Sequence, residues 1–275
     1  MKVAVLGLGI IGSRVAARLA ADPECEVRTW NRSPKPGVPG FCQDPAEAAA
    51  GADQVSLYLK DSAAVREVAS RLPAGPLRVL NHSTIDLATT RWLGEHGRRM
   101  GWTVLDCPFT GSREASAAGQ LVYYAAGDAA EIDAITPFLL KSGRKLIPCG
   151  EFGNATIIKL VTNLVSACTV QALCEGMATA IHQGIPAAAF REAIADNACT
   201  SPLATMKLPT MAAGDFSTHF SLGNMLKDSR YVLDLASGID TPAILAVSAR
   251  MADLCERGLA DLDYSALFSP YLNHD

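Results

Sequence analysis

The strongest constraint lies within the first twelve residues. An apolar run, Lys2–Leu6, reads as a strand and is followed at once by Gly7-Leu8-Gly9-Ile10-Ile11-Gly12, which opens an alanine-rich helical stretch, Ile11–Ala21. A G-x-G-x-x-G means little alone, but between a strand and a helix each glycine has a task. The first permits a tight turn, the second lets a pyrophosphate approach the backbone, and the third lets helix and strand pack closely, with the helix N-terminus facing the phosphates. The segment predicts a dinucleotide cradle formed by Gly7, Leu8, Gly9, Ile10, Ile11 and Gly12.

Up to about residue 150, short β-rich runs alternate with helical stretches. Glu26–Trp30, Val55–Leu59, Leu77–Leu80, Thr103–Leu105, Leu121–Ala125 and Lys145–Ile147 read as further strands, with helices such as Ser62–Arg71 and Ala129–Leu140 between them. Such alternation implies βαβ units and a largely parallel sheet covered on both faces. After Gly150 the strand signals stop. Thr156–Gln183 lacks proline and carries Ile157, Leu160, Val161, Leu164 and Cys168 at helical spacing, which predicts a helix of roughly 40 Å. Ala187–Asp196, Leu203–Ala213, Met225–Ser237 and Pro242–Gly258 follow as helices, and Pro209 is expected to kink or end the second of them. The expected architecture is α/β: a doubly wound, Rossmann-type parallel-sheet domain over 1–152, then an all-α domain over 153–275 entered through a long interdomain helix.

Charge and composition remove several function classes. The 275 residues hold 24 basic and 28 acidic side chains, a formal charge of −4, whereas neutralising a nucleic-acid backbone needs a basic excess. Residues 1–152 hold 17 basic and 16 acidic side chains and 153–275 hold 7 and 12, so the deficit lies in the second half. No apolar stretch approaches the roughly 20 residues of a membrane span, and the N-terminal run is too glycine-rich and too soon followed by charge for a signal peptide. Eight cysteines without a C-x-x-C pair suit small buried hydrophobes in a reducing, cytoplasmic setting. Five histidines, none at zinc-motif spacing, give no metal site.

The end of the second strand bears on which dinucleotide is bound. An NAD enzyme usually places Asp or Glu about 20 residues after the glycine motif, to accept hydrogen bonds from the ribose 2′-OH. This chain has Asn31-Arg32-Ser33, with Lys35 close behind. A guanidinium pairs bidentately with a 2′-phosphate and a carboxylate would repel it, so NADP(H) is favoured; the alternative for Arg32 is a solvated loop charge.

Four further segments resemble the β-hydroxyacid dehydrogenase family, which includes 3-hydroxyisobutyrate dehydrogenase and the glyoxylate/succinic semialdehyde reductases. They are Asn81-His82-Ser83-Thr84-Ile85; Asp106-Cys107-Pro108-Phe109-Thr110-Gly111-Ser112 continuing to Gly119-Gln120-Leu121; Gly150-Glu151-Phe152-Gly153 with Lys159-Leu160-Val161-Thr162-Asn163; and Phe216, Phe220 and Lys227-Asp228. Their order along the chain matches the family, and Asn31-Arg32-Ser33 with the Gly-Ser loop is most similar to the glyoxylate/succinic semialdehyde reductases. The resemblance implies a catalytic helix bearing Lys159 and Asn163, and a substrate loop at Thr110, Gly111 and Ser112. It implies an apolar pocket wall at Phe220, Lys227 near the cofactor, Asp228 in a shell supporting the substrate site, and Leu59, Lys60 and Thr84 along the nicotinamide half. Arg113 either reaches a distal substrate carboxylate or pairs with Glu114. Thr110 stands where the family usually has serine, Phe109 where a smaller aliphatic is common, Thr162 where many members carry asparagine and Ala155 where some carry glycine.

The chemistry is also readable from the residues. Lys159 and Asn163 are four apart and so share one helix face. Among Ile157, Ile158, Leu160 and Val161, a lysine either snorkels to solvent or is desolvated and suited to proton transfer. In an aldehyde reduction Lys159 would stabilise the developing oxyanion and deliver the proton, and Asn163 would orient it. The resulting expectation is NADPH-dependent reduction of a small carboxylated carbonyl substrate, such as glyoxylate or succinic semialdehyde, by a homodimer or higher homo-oligomer. Imine reduction is the competing enzymatic reading, and a non-catalytic NADP-binding sensor the reading from another class; retention of Lys159 counts against both.

Overall fold

A computed structural model describes residues 1–272 and separates into two compact units, Met1–Lys159 and the residues from Leu160 onward. The first is built from β1 (Lys2–Leu6), α1 (Gly12–Ala20), β2 (Glu26–Trp30), α2 (Pro45–Ala49), β3 (Gln54–Leu57), α3 (Ser62–Ala69), β4 (Leu77–Asn81), α4 (Leu87–Met100) and β5 (Trp102–Asp106). The five strands are parallel in the order β2-β1-β3-β4-β5, and Leu6 at the end of β1 stands between Trp30 and Leu57. Alternate side chains feed two cores: Ala4, Leu6, Val55 and Val79 on one face, Val3, Val5, Leu80 and Leu105 on the other. That two-sided burial explains why the strands read as continuous apolar runs. Strand order reverses at β1, so the glycine turn lies where doubly wound sheets open a crevice.

The single sheet inferred from the alternation is in fact two. After β5 the chain forms β6 (Phe109–Thr110), α5 (Arg113–Ala117), β7 (Leu121–Ala125), α6 (Ala129–Leu139) and β8 (Gly143–Pro148), a separate sheet in the order β6-β7-β8. β6 is antiparallel to β7, and β7 is parallel to β8. Only Cys107 and Pro108 separate β5 from β6, too short a link for a parallel crossover. The two sheets touch through a bridge between Asp106 and Ala126.

Helix α7 (Asn154–His182) begins in the first unit and continues into the second. By compactness the chain divides between Lys159 and Leu160, inside this helix, because its first turn is bound to the first unit. Thr156 bonds Asp106 and Thr90, and Ala155 packs with Tyr124 and Ala126. At 29 residues with a window hydropathy of 1.6, α7 is long and apolar enough to cross a membrane, contrary to the expectation that no segment approached that length. Its buried residues Ala167, Val170, Cys174 and Met177 instead enter a protein core.

The second unit adds α8 (Ala187–Ala195), α9 (Pro202–Ala212), α10 (Leu222–Leu235), α11 (Pro242–Leu254), a π turn at Cys255–Leu259 and a 3-10 helix at Tyr264–Tyr271. Met211, Leu222, Met251, Leu254 and Phe268 complete its core. α9 runs through Pro209, so of the two effects expected of that proline, a kink or a stop, the stop does not occur. Ala204, Leu208 and Met211 are buried on either side of the proline, and this packing overrides a local cost of about 3 kcal/mol. All eight cysteines are free thiols.

Candidate active site

The glycine turn is formed by close approaches of backbone. Gly7 has φ +104°, and a side chain there would collide with the carbonyl of Tyr58; one on Gly12 would collide with the carbonyl of Gly7. A Cβ on Gly9 would meet open space. Helices α2 to α6 each start with an Asp or Ser side chain accepting a backbone N–H, whereas α1 has no such cap and no acid in its first turn. The uncapped N-terminus of α1, its lack of an acid and the space above Gly9 therefore fit a pyrophosphate. Leu8 is buried, and Ile10 and Ile11 flank the opening.

Two residues beyond β2 secure this turn. The Leu8 N–H donates to Asn31 Oδ1 at 2.9 Å, and Asn31 Nδ2 donates to the Ser33 carbonyl at 2.9 Å. Lys35 Nζ donates to the Leu8 carbonyl at 2.6 Å, so Lys35 is tied to the cradle. Arg32 and Ser33 are exposed, and Asp and Glu are absent from 30–35. A 2′-phosphate beside Arg32 would meet a cation and no opposing carboxylate.

The ends of β3 and β4 are cross-linked. The Leu59 N–H donates to Ser83 Oγ, which donates to the Leu57 carbonyl; Lys60 is exposed and Thr84 half-buried. Beneath them lies a cluster that sequence reading did not single out. His82 is buried, stacks on Tyr58 with centroids 4.5 Å apart, and its Nδ1 lies 2.7 Å from the Cys107 carbonyl. Burial lowers its pKa from 6.5 to about 4, so the ring is neutral near pH 7. The Tyr58 and Tyr123 hydroxyls are 3.0 Å apart, and Tyr123 also bonds Ser142 at 2.8 Å. Nothing in the spacing of these residues signals their convergence.

In the loop expected to hold the substrate, Thr110 and Gly111 are exposed, and Ser112 caps α5 by accepting the Ala115 N–H, which leaves its own hydroxyl proton to donate. Arg113 pairs with Glu114 at 2.9 Å. Asp106, where β5 ends and the loop starts, is fully buried. Its Oδ2 accepts the Thr156 N–H at 2.7 Å and its Oδ1 accepts the Thr156 hydroxyl at 2.9 Å. Burial raises its pKa to about 6 against the lowering effect of these bonds and of Asn81.

Lys159 is half-buried on α7, and Asn163 follows one turn later, 7% exposed. Asn163 Nδ2 donates to Asp228 Oδ2 at 2.7 Å, and Lys227 Nζ lies 2.8 Å from Asp228 Oδ1 and over the Tyr231 ring. Asp228 is itself buried, so it acts on Asn163 and Lys227. Phe220 is partly buried, edge-on to Tyr264 at 6.0 Å and packed on the helical core. Its N–H and that of His219 donate to Asp263 Oδ2, and Asp263 in turn pairs with Lys207 at 2.6 Å. Sequence reading missed this buried pair, because 56 residues separate its members. Among the described residues no group of three or more His, Cys, Asp or Glu side chains is placed to hold a metal.

Comparison with known proteins covers both units. The family described as the NAD binding domain of 6-phosphogluconate dehydrogenase matches residues 2–150, more than half of the chain. The family described as NAD-binding of NADP-dependent 3-hydroxyisobutyrate dehydrogenase matches residues 153–271. Two Arabidopsis thaliana proteins are each 27% identical: glyoxylate/succinic semialdehyde reductase 2, chloroplastic, over 97% of this chain and 78% of the relative, and glyoxylate/succinic semialdehyde reductase 1, over 97% of both. A Mycobacterium tuberculosis 3-hydroxyisobutyrate dehydrogenase, solved with L-serine, is 26% identical, covers 99% of both chains and superposes with a TM-score of 0.87.

Proposed function

The chain belongs to the β-hydroxyacid dehydrogenase family and is an NAD(P)-dependent oxidoreductase, and on that premise we propose that it uses NADPH to reduce a small aldehyde acid, of the glyoxylate or succinic semialdehyde type, to the hydroxy acid. The geometry of α7 carries this reading: Lys159 and Asn163 lie one turn apart, and the Asn163 amide is held by a buried carboxylate. Preference for NADPH is supported by the exposed Arg32 and by the absence of a carboxylate at the end of β2. The cradle residues, Gly7 to Gly12, would hold the pyrophosphate, and the cofactor, when bound, supplies a hydride. Lys159 offsets the negative charge that develops on the carbonyl oxygen and returns a proton to it. Thr110 and Ser112 hydroxyls and the Gly111 N–H hold the substrate carboxylate. Homo-oligomerisation belongs to the same reading, supported by Val165 on α7, which is 61% exposed; light scattering tests it.

The deciding experiment is a panel of aldehyde acids, ketones and imines, each assayed with NADPH and with NADH. Glyoxylate or succinic semialdehyde is expected to oxidise NADPH in preference to NADH. Lys159→Met is expected to abolish turnover and leave NADPH binding intact. No turnover across the panel would overturn the reaction, and full activity of Lys159→Met would overturn the role of the lysine.

A further inference from the structure

We propose that Asp106 is a positioning residue that sets Lys159 against the carboxylate-holding loop by gripping the first turn of α7. The inference rests on Lys159 being the proton donor. Three observations support it. Asp106 is the last residue of β5, and the loop carrying Thr110, Gly111 and Ser112 departs from it directly. Both of its carboxylate oxygens accept from Thr156, one from the N–H and one from the hydroxyl, with Asn81 bonding the same carboxylate, and Thr90 Oγ1 on α4 closes the group at 2.9 Å from Thr156 Oγ1. Lys159 follows Thr156 by three residues and so projects from the same side of the helix one turn further on. A single side chain thus fixes both the rotation of the catalytic helix and its distance from the loop.

Ordinary capping does not account for this arrangement. Helices α2 to α6 take their caps from the residue just before the helix, at the protein surface or near it. α7 takes a carboxylate from 50 residues away, with that carboxylate wholly buried. Burying a charge is costly, and a local Ser or Asp would satisfy the same N–H without that cost. What the distant acid adds is a fixed relation between strand end and helix.

The test measures kcat per NADPH-binding site, so that misfolded protein is not counted, together with KM and the NADPH Kd. In Asp106→Ala, kcat is expected to fall by about tenfold or more with the NADPH Kd within about twofold, because a displacement near 1 Å in reacting geometry is enough for such a loss. Thr156→Ser keeps both bonds and is expected to restore most of the rate, whereas Thr156→Val keeps only the N–H bond and is expected to lose more than about threefold. A kcat per site within about threefold of wild type in Asp106→Ala overturns the proposal; if that variant yields no folded protein, Thr156→Val decides by the same threshold. Should the wild type reduce no aldehyde acid, the assigned reaction fails separately, and labelling of Lys159 by an amine-reactive probe, read by peptide mass spectrometry, decides the matter. A changed labelling rate in Asp106→Ala supports the positioning role, and an unchanged rate overturns it.

Discussion

At the scale of single residues, the cradle separates binding from folding. Gly12 abuts the Gly7 carbonyl, so Gly12→Ala forces helix and strand apart and is expected to cost more than about 2 kcal/mol. Gly9 faces open space and lacks a positive φ, so Gly9→Ala is expected to keep stability within about 1 kcal/mol of wild type. Its methyl group would nevertheless occupy the place assigned to the pyrophosphate, and NADPH affinity should fall about tenfold or more. Thermal unfolding and fluorescence titration measure the two effects, and unaltered NADPH binding by Gly9→Ala would place the phosphates elsewhere. Arg32 offers a second separation. Arg32→Ala removes a cation that only a 2′-phosphate requires, so the Kd for NADPH should rise by about tenfold while that for NADH stays nearly constant. An equal change for both cofactors would assign Arg32 to the ribose or adenine instead.

At the scale of elements, the helical unit depends on contacts far apart in sequence. Lys207 on α9 pairs with Asp263, which also accepts the N–H groups of His219, Phe220 and Ser265, and both side chains are almost wholly buried. Although burial works to raise the Asp263 pKa, Lys207 and the backbone donors hold it below the ordinary carboxylate value. Lys207→Met would strand that carboxylate, and urea unfolding is expected to show a loss of about 3–5 kcal/mol, partly recovered in Lys207→Met/Asp263→Asn. No recovery in the double variant would mean that the lysine acts through packing on Tyr264 instead. Such pairs are what sequence patterns leave out. β1, β2 and the start of α7 were legible because apolar period, glycine spacing and chain order all agree there. Helix α4 was not, because Gly94 and Gly97 dilute its pattern. Both glycines answer to packing, since a side chain at Gly94 would strike Phe152 and one at Gly97 would strike Val104. Likewise Lys159 and Asn163 were readable as neighbours on one helix face, but Asp106 and Thr156, which anchor that helix, meet only once the sheet has formed.

At the scale of the whole molecule, two buried groups close together in the sheet unit oppose each other as pH falls. His82, depressed from 6.5 to about 4, stays neutral when the unfolded chain takes up a proton, so its contribution is present above pH 6.5 and is lost as pH falls towards 4. Asp106, raised from 3.8 to about 6, has the opposite sign: its contribution is fully present below 3.8 and is lost as pH rises through 6. Acidification from 6.5 to 4 therefore removes stability through His82 and returns it through Asp106, each on the order of 3 kcal/mol at full titration. The chain also passes through its isoelectric point, about 5.8, in this range, so overall charge repulsion is small there. Wild-type stability is expected to be nearly flat between pH 6.5 and 4.5. In Asp106→Asn the histidine contribution is no longer offset, and denaturant titrations at successive pH values should show a loss that steepens on acidification. His82→Gln should do the reverse and gain stability as pH falls. Parallel pH curves for wild type and Asp106→Asn would mean that Asp106 titrates alike in the folded and unfolded chain, and its burial would then have to be relieved by a charge or water reaching the carboxylate.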